Sequence, residues 1–197
     1  MDAFVVRLLL SPIFLFALIM HEMAHGKAAD MLKDPTARTF GRLSFNPFAH
    51  LDLLGAASFV IFGFGWAKPV PINPYFFEDP KKDTAIVGLA GPAANLLIAW
   101  FFSVLFRYFS FDHELLRFIY FNTVWINIMF AVFNLIPIPP LDGSRLLRAF
   151  LPREGAAFLD SIEPYGIFIV LFLLMMPGSY RALNLLIRFI FGFLMPT

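Results

Sequence analysis

Cysteine is absent from this 197-residue chain, and charged residues are scarce. Without cysteine the chain can form no disulfide framework, no thiolate metal site and no cysteine nucleophile. Charged side chains make up 15% of the residues, against about 25% in soluble domains. The formal net charge is only +1, so no overall positive field favours nucleic acid as a partner. The chain therefore has too few polar groups to cover a globular surface in water.

Apolar sequence takes the place of the missing charge. Hydrophobic residues make up 59% of the chain, which contains 27 Phe and has a mean hydropathy of +0.75. A helix needs about 20 mostly apolar residues to cross a bilayer. Four stretches approach or exceed that length, at residues 4–31, 84–106, 118–138 and 164–196. They predict an all-α polytopic membrane protein with the lipid bilayer as a partner.

The order of these stretches predicts a single integral membrane domain over residues 1–197. Its core is expected at 4–150, and a C-terminal helical hairpin is expected at 160–196. Residues 53–66 are apolar but too short to span comfortably, which favours a re-entrant or membrane-embedded segment. Residues 36–46 combine β-branched and aromatic side chains, which favours a short strand-like element near the membrane surface.

Basic residues give the expected orientation, because Lys and Arg are enriched in cytoplasmic loops. Ten of the fifteen basic residues fall on one side of the membrane if residues 53–66 enter it and return. We therefore expect the N-terminus outside, and this basic set and the C-terminus in the cytoplasm. The ten residues are Lys27, Lys33, Arg38, Arg42, Lys68, Lys81, Lys82, Arg145, Arg148 and Arg153.

The first apolar stretch contains His21, Glu22 and His25 in an H-E-x-x-H arrangement. Residues four apart lie on one face of a helix, so both imidazoles can bind one Zn²⁺. Glu22 can then act as general base on a water molecule at the metal. Ionisable groups inside a spanning helix are costly and are functional by default. This placement favours a zinc hydrolase site over a merely polar helix end.

A catalytic zinc site usually takes three protein ligands and keeps one position open. Asp142 is the favoured third ligand because it follows a proline-rich run, residues 137–140, that ends the third apolar stretch. Irregular backbone at membrane depth is tolerated only when it is buried in protein or lines a wet cavity. The expected ligands of one zinc ion are therefore His21, His25 and Asp142. The other candidates are His50, Asp52, Glu78, His113 and Glu114.

Two asparagine-containing segments have open roles. The carboxamide of Asn134 is suited to an oxyanion, but it is equally suited to a hydrogen bond between helices. For Asn127, on the same helix stripe, the helix–helix bond is favoured. Residues 91–95, Gly-Pro-Ala-Ala-Asn, form a patch of small residues that predicts close helix packing, and Asn95 could bond across the helices.

Taken together, these segments resemble the site-2 protease family of intramembrane zinc metalloproteases. The resemblance covers most of residues 10–150, and H-E-x-x-H is its less specific part. Residues 134–143 resemble the family's N-x-x-P-x-P-x-L-D-G element, which is much more specific. Residues 41–47, 65–71 and 91–95 also resemble family segments. No PDZ-like or CBS-like segment is present, which indicates the compact branch of the family.

The resemblance implies zinc binding by His21, His25 and Asp142, with Glu22 as the base. It also implies that Asn134 helps to hold the oxyanion or the substrate. The expected architecture is a three-helix catalytic core with the site toward the cytoplasm, in agreement with the distribution of basic residues. The implied reaction is hydrolysis of a peptide bond within or near a transmembrane segment of a membrane-protein substrate.

A helical substrate must unwind locally before its carbonyls can react. The strand-like residues 36–46 could hold the unwound chain by edge pairing. A different class of function uses the same ligands, namely a membrane metal-ion carrier or transporter. Glu22 favours the hydrolase, because a carrier needs ligands and has no need of a base. A catalytically inactive scaffold would usually lose Glu22 or Asp142, and both are present.

Overall fold

The computed structural model describes residues 3–62, 65–108 and 113–195, and it is built from helices. Within these ranges, β-structure is limited to one isolated antiparallel bridge between Leu51 and Ala67. The helices are α1 (Ala3–Met31), α2 (Thr36–Thr39), α3 (Leu53–Phe62), α4 (Pro80–Tyr108), α5 (Glu114–Asn134), α6 (Asp142–Phe150), α7 (Arg153–Ile162), α8 (Gly166–Met175) and α9 (Pro177–Leu194). The prediction of an all-α polytopic protein is confirmed.

Four candidate membrane spans are long and apolar enough to cross a bilayer within the described ranges: Phe4–Met31, Pro80–Tyr108, Glu114–Asn134 and Arg153–Met175. The first three correspond to the first three apolar stretches. α5 ends at Asn134, earlier than expected, because the residue before a proline is disfavoured in helical conformation. Large apolar side chains such as Phe101 and Phe168 are exposed on these helices, as a lipid environment requires.

The C-terminal region forms two helices, as predicted, with the break one residue before the expected bend. Met176 adopts an extended conformation with ψ of 122°, and Pro177 begins α9 at the position where a missing amide costs nothing. α9 packs on α5 through Ile187, which lies in a buried apolar cluster with Val124 and Ile128. The fourth candidate span runs through α7 and α8 instead of α9.

α4 is the central helix of the core and contacts α1, α5 and α6. Its glycines allow this close packing. A Cβ at Gly88 would lie 3.0 Å from the Cβ of Arg145 in α6. The small-residue patch predicted for close helix approach therefore packs as expected, and it brings α1 and the start of α6 together on one side of α4.

The segment that contains α3 begins and ends at the same place in the structure. Leu51 pairs with Ala67, and the amide of Lys68 donates to the carbonyl of His50 at 2.9 Å. The start of α3 contacts the returning chain at Gly55, where a Cβ would lie 2.1 Å from the Trp66 carbonyl oxygen. A spanning segment would separate its ends by about 30 Å, so the segment is re-entrant.

The prediction of a strand at residues 36–46 is wrong. Thr36–Thr39 form one helical turn, because Oδ1 of the fully buried Asp34 accepts the amide of Thr36 at 2.9 Å. This local capping bond outweighs the β preference of the threonines. Gly41, with φ of +65°, then turns the chain away.

Parts of two predicted segments lie outside the described residues. These are residues 63–64 of the re-entrant segment and, at the chain ends, residues 1–2 and 196–197 of the predicted domain.

Candidate metal centre

His21, His25 and Asp142 meet at one point between α1, α4 and α6. The two Nε2 atoms lie 3.0 Å apart, and Oδ2 of Asp142 lies 3.0 Å from His21 Nε2 and 3.1 Å from His25 Nε2. All three residues are buried, at 6% exposure or less. Within the described residues, this is the group of His, Asp and Glu side chains that could hold a metal ion.

Local structure explains how each side chain arrives at this point. The histidines stand one helical turn apart on α1, and α4 approaches their rings closely. A Cβ at Gly91 would lie 2.4 Å from His25 Nε2, so only glycine leaves room for the imidazole. Asp142 begins α6 directly after the loop that ends α5. A Cβ at Gly143 would lie 2.2 Å from the Leu135 carbonyl oxygen, so this glycine lets α6 start against the end of α5.

The second ring nitrogens fix the tautomers of both histidines. His25 Nδ1 lies 2.7 Å from the carbonyl oxygen of Val87, which can only accept, so Nδ1 carries the hydrogen. His21 Nδ1 lies 2.7 Å from Oδ1 of Asn95. The amide nitrogen of Asn95 donates to the Ala17 carbonyl, so its Oδ1 is the acceptor for His21. In the neutral rings, both Nε2 atoms therefore present lone pairs to the centre.

This donor set fits a zinc ion. Two imidazole lone pairs and a carboxylate oxygen are three acceptors facing one another, and a metal cation between them removes their repulsion. Ligand atoms about 2.0–2.2 Å from a tetrahedral zinc lie roughly 3.3–3.5 Å from one another, close to the observed separations. Hydrogen bonds from the far ring nitrogens to Val87 and Asn95 are the outer partners that metal-bound histidines commonly have.

Glu22 lies beside the centre and is held by the backbone of the following segment. We call residues 67–73 the strap. The amide of Val70, in the middle of the strap, donates to Oε2 of Glu22 at 2.8 Å. The buried guanidinium of Arg42 holds the strap through the carbonyls of Lys68 and Pro69. Burial lowers the pKa of Arg42, and the nearby carboxylate of Glu22 opposes that shift.

The remaining candidates lie apart from the three-residue cluster. The half-buried Asn134 donates from Nδ2 to the Phe130 carbonyl at 3.0 Å, within its own helix. Asn127 bonds across helices, as favoured from the sequence, by accepting the Asn95 amide at 2.8 Å. The other candidates, which do not join the cluster that the described residues form, are His50, Asp52, Glu78, His113 and Glu114.

Sequence reasoning did not assign two contributors to this centre. Asn95 was expected to pack or to bond across helices, and it does so by orienting His21. A polar residue inside an apolar span is a signal for such a role. Val70 contributes a backbone amide, which no side-chain pattern reveals. Its only trace is the pair of flanking prolines, Pro69 and Pro71, which leave Val70 as the sole N–H donor of that tripeptide.

Comparison with known proteins identifies the family of the chain. The family model of peptidase family M50 matches residues 109–177. "Putative zinc metalloprotease YwhC" of Bacillus subtilis is 38% identical over 170 residues, which cover 82% of this chain and 78% of the relative. "Putative zinc metalloprotease Rip2" of Mycolicibacterium smegmatis is 30% identical over 190 residues, which cover 91% and 71% of the two chains. No solved structure matches the chain significantly. The chain belongs to peptidase family M50, the site-2 protease family of zinc metalloproteases.

Proposed function

We propose that this chain is an intramembrane endopeptidase that hydrolyses a peptide bond within or near a transmembrane segment of another membrane protein. One observation carries the proposal: His21, His25 and Asp142 converge where α1 and α4, two helices long and apolar enough to cross a bilayer, meet the start of α6. Buried ionisable groups at that depth are costly, and a ligand set beside a carboxylate base explains them. The zinc ligands in this proposal are these three residues.

Each residue around the centre has a definite task in this reaction. Zinc, when bound, acidifies water and polarises a scissile carbonyl. Glu22 accepts the proton and delivers it to the leaving amine. The Val70 amide holds one oxygen of that carboxylate in place and leaves Oε1 for the proton transfer. Val87 and Asn95 hold the imidazoles in the tautomers that aim both lone pairs at the metal.

Two earlier expectations do not enter the proposal. The substrate cannot pair with the edge of a strand at residues 36–46, because that strand does not form. A metal-ion carrier would use the same ligands, but it gives no reason for a carboxylate base that a backbone amide holds beside them. Membership in a zinc metalloprotease family favours the hydrolase further.

The test is cleavage of single-span membrane proteins by the purified chain in lipid vesicles, together with metal analysis. We expect about one zinc per chain and cleavage inside or next to the span of at least one substrate. Chelation should abolish cleavage, and added Zn²⁺ should restore it. A zinc-loaded protein that moves metal ions across the vesicle membrane and cleaves nothing would favour the carrier instead.

Asn134 is the proposed donor to the oxyanion or to the substrate. One hydrogen of its amide nitrogen bonds to Phe130, and the second remains for a ligand. We expect Asn134→Ala to lower kcat by about 10²–10³, the usual cost of one oxyanion donor, with unchanged zinc content. Metal analysis and steady-state kinetics on one preparation check both expectations. Loss of zinc from the variant would show a structural role instead.

The proposed orientation places the N-terminus outside and the metal centre toward the cytoplasm. Arg107, at the outer end of α4, donates to the carbonyl of Leu194 at the end of α9 at 2.9 Å. The end of α9 therefore lies on the outer side, and the expected cytoplasmic C-terminus does not fit the structure.

The chain has no native Cys, so single-cysteine variants report one position each. We expect Lys81→Cys and Arg153→Cys to react with an impermeant thiol reagent only from the cytoplasm, and Glu114→Cys only from outside. All three positions are exposed. Reaction of position 81 from outside would overturn the orientation.

A further inference from the structure

A cavity of about 350 Å³ lies between α1 and the re-entrant helix α3. Its walls are mostly apolar and include Leu15 and Leu18 of α1 and Ala56 and Phe59 of α3. Phe59 stacks on Phe14 of α1 with ring centroids 3.9 Å apart, which fixes the spacing of the two helices. Ligand pockets range from roughly 300 to 1,000 Å³, so the cavity suits a single large side chain with its adjoining backbone.

A fully buried histidine with an unused acceptor borders this cavity. His50 has no exposed surface, and its Nε2 lies 2.7 Å from the Ser44 carbonyl oxygen. A carbonyl only accepts, so Nε2 carries the hydrogen and Nδ1 presents a lone pair. Nδ1 has no hydrogen-bond partner among the residues that the structure describes. An unsatisfied buried acceptor is rare, and a missing N–H or O–H donor is its usual explanation.

The strap connects His50 to the catalytic base. The amide of Lys68 donates to the His50 carbonyl, and the amide of Val70, two residues further, donates to Glu22. Two residues of chain span at most about 7 Å, so with the two hydrogen bonds the His50 carbonyl lies within about 13 Å of the Glu22 carboxylate.

The face of α1 gives the same connection independently. Ser11, Leu15, Leu18 and Glu22 are spaced by four, three and four residues, so they follow one face of the helix. The first three line the cavity, and the fourth is the proposed base. The cavity therefore lies along the same stripe of α1 as Glu22.

We propose that this cavity is a substrate subsite, which rests on the proposed protease function. It receives one large apolar side chain from the unwound part of the substrate's transmembrane segment. Nδ1 of His50, which is buried in the free protein, accepts a peptide N–H from the same unwound stretch once the substrate displaces the side chains that cover it. Unwinding frees backbone N–H groups in an apolar environment, where each unpaired one costs several kcal/mol, and His50 supplies an acceptor there.

The side-chain half of the proposal is tested with a synthetic transmembrane peptide. Ala or Phe is placed in turn at each position around its cleaved bond. We expect one position where wild type prefers Phe over Ala by at least about tenfold in kcat/KM, the lower range for apolar pockets. Ala56→Phe fills the cavity and should abolish or reverse that preference. Ala57→Phe, the same change at the exposed neighbouring position of α3, should leave it intact.

The hydrogen-bond half is tested by removing single N–H groups from the peptide. Replacing one amide by an ester deletes the donor and keeps the chain length. We expect one ester position to weaken cleavage by wild type about tenfold, as the loss of one bond of about 1.4 kcal/mol requires. The same ester should have no additional effect in His50→Leu. If His50→Leu does not fold, the effect of the ester on cleavage is compared between Ala57→Phe, which leaves the cavity open, and Ala56→Phe, which fills it. The difference measures the coupling between the peptide donor and the cavity.

Peptide binding to Glu22→Gln separates this inference from the proposed function, since it needs no hydrolysis. A peptide that binds with the Phe preference but is never cleaved by wild type supports the subsite and rejects the protease. Cleavage with no side-chain preference at any position, and no effect of Ala56→Phe, overturns the subsite and indicates lipid in the cavity. Ester substitutions without effect at every position overturn the role of His50.

Discussion

Glu22→Gln is expected to lower the rate of substrate cleavage by about 10²–10⁴, the usual contribution of a general base, with full zinc content. The amide side chain cannot accept the proton from water, but it has nearly the same size as the carboxylate. Its carbonyl oxygen can still accept the Val70 amide that now bonds to Oε2. The three proposed ligands are untouched, so metal binding should persist. Cleavage of a vesicle-embedded substrate and metal analysis of the same preparation measure the two quantities.

Glu78→Gln is the matched control for that experiment. Glu78 is exposed, and its ion pair with Lys33 lowers the pKa of its carboxyl group and raises the pKa of the lysine. The substitution removes the same charge outside the centre, and an ion pair this exposed contributes little to stability. We expect wild-type cleavage and zinc content from this control. Near wild-type cleavage by Glu22→Gln would mean that another group takes the proton.

The parts of the centre that could be predicted from sequence are those determined by local spacing. The separation of His21 and His25 by four residues gives a shared helix face whatever the tertiary structure. Asp142 was predictable for a different reason. Prolines before it break a spanning helix, and a break at membrane depth requires a polar or protein-lined surrounding.

Contacts that depend on tertiary packing could not be predicted in the same way. The bond from Asn95 to His21 needs the approach of α4 to α1, which Gly91 permits. The bond from Val70 to Glu22 needs the return of the re-entrant segment beside α1. The strand expected at residues 36–46 failed because one buried carboxylate, Asp34, caps a helical turn there. Propensity describes isolated residues, whereas capping depends on where a neighbour's side chain lies.

The pairing of α7 and α8 in one candidate span was also not foreseen. The sequence suggested a hairpin of two short helices after residue 160, and the structure divides the region differently. Pro164 lies within a 3₁₀ turn, Glu163–Tyr165, that joins α7 to α8 without a long loop. Hydropathy identifies such a region as membrane-embedded, but it does not determine which halves combine into one span.

Asp142→Ala is expected to remove both zinc and activity, in contrast to Glu22→Gln. Asp142 supplies the only anionic ligand atom of the cluster, 3.0–3.1 Å from both imidazole nitrogens. Loss of a residue that only hydrogen-bonds to a metal ligand lowers metal affinity about 10–100-fold. Loss of a direct ligand should therefore lower the zinc affinity by at least about 100-fold. Metal analysis after dialysis against a weak chelator, together with cleavage assays, measures this loss.

The matched control and a conservative variant decide whether Asp142 acts as a ligand. Asp160→Ala removes an exposed carboxylate that pairs with Arg148 on the surface, and it should keep zinc and activity. Asp142→Asn keeps an oxygen at the same place but removes the charge, so it should retain more zinc than Asp142→Ala at high Zn²⁺. Asp142 also lies 3.4 Å from Arg145, so a purely structural role would show as reduced thermal stability with zinc retained. A folded Asp142→Ala protein with full zinc and full activity would contradict the proposed centre, and the third ligand would then have to come from outside the cluster.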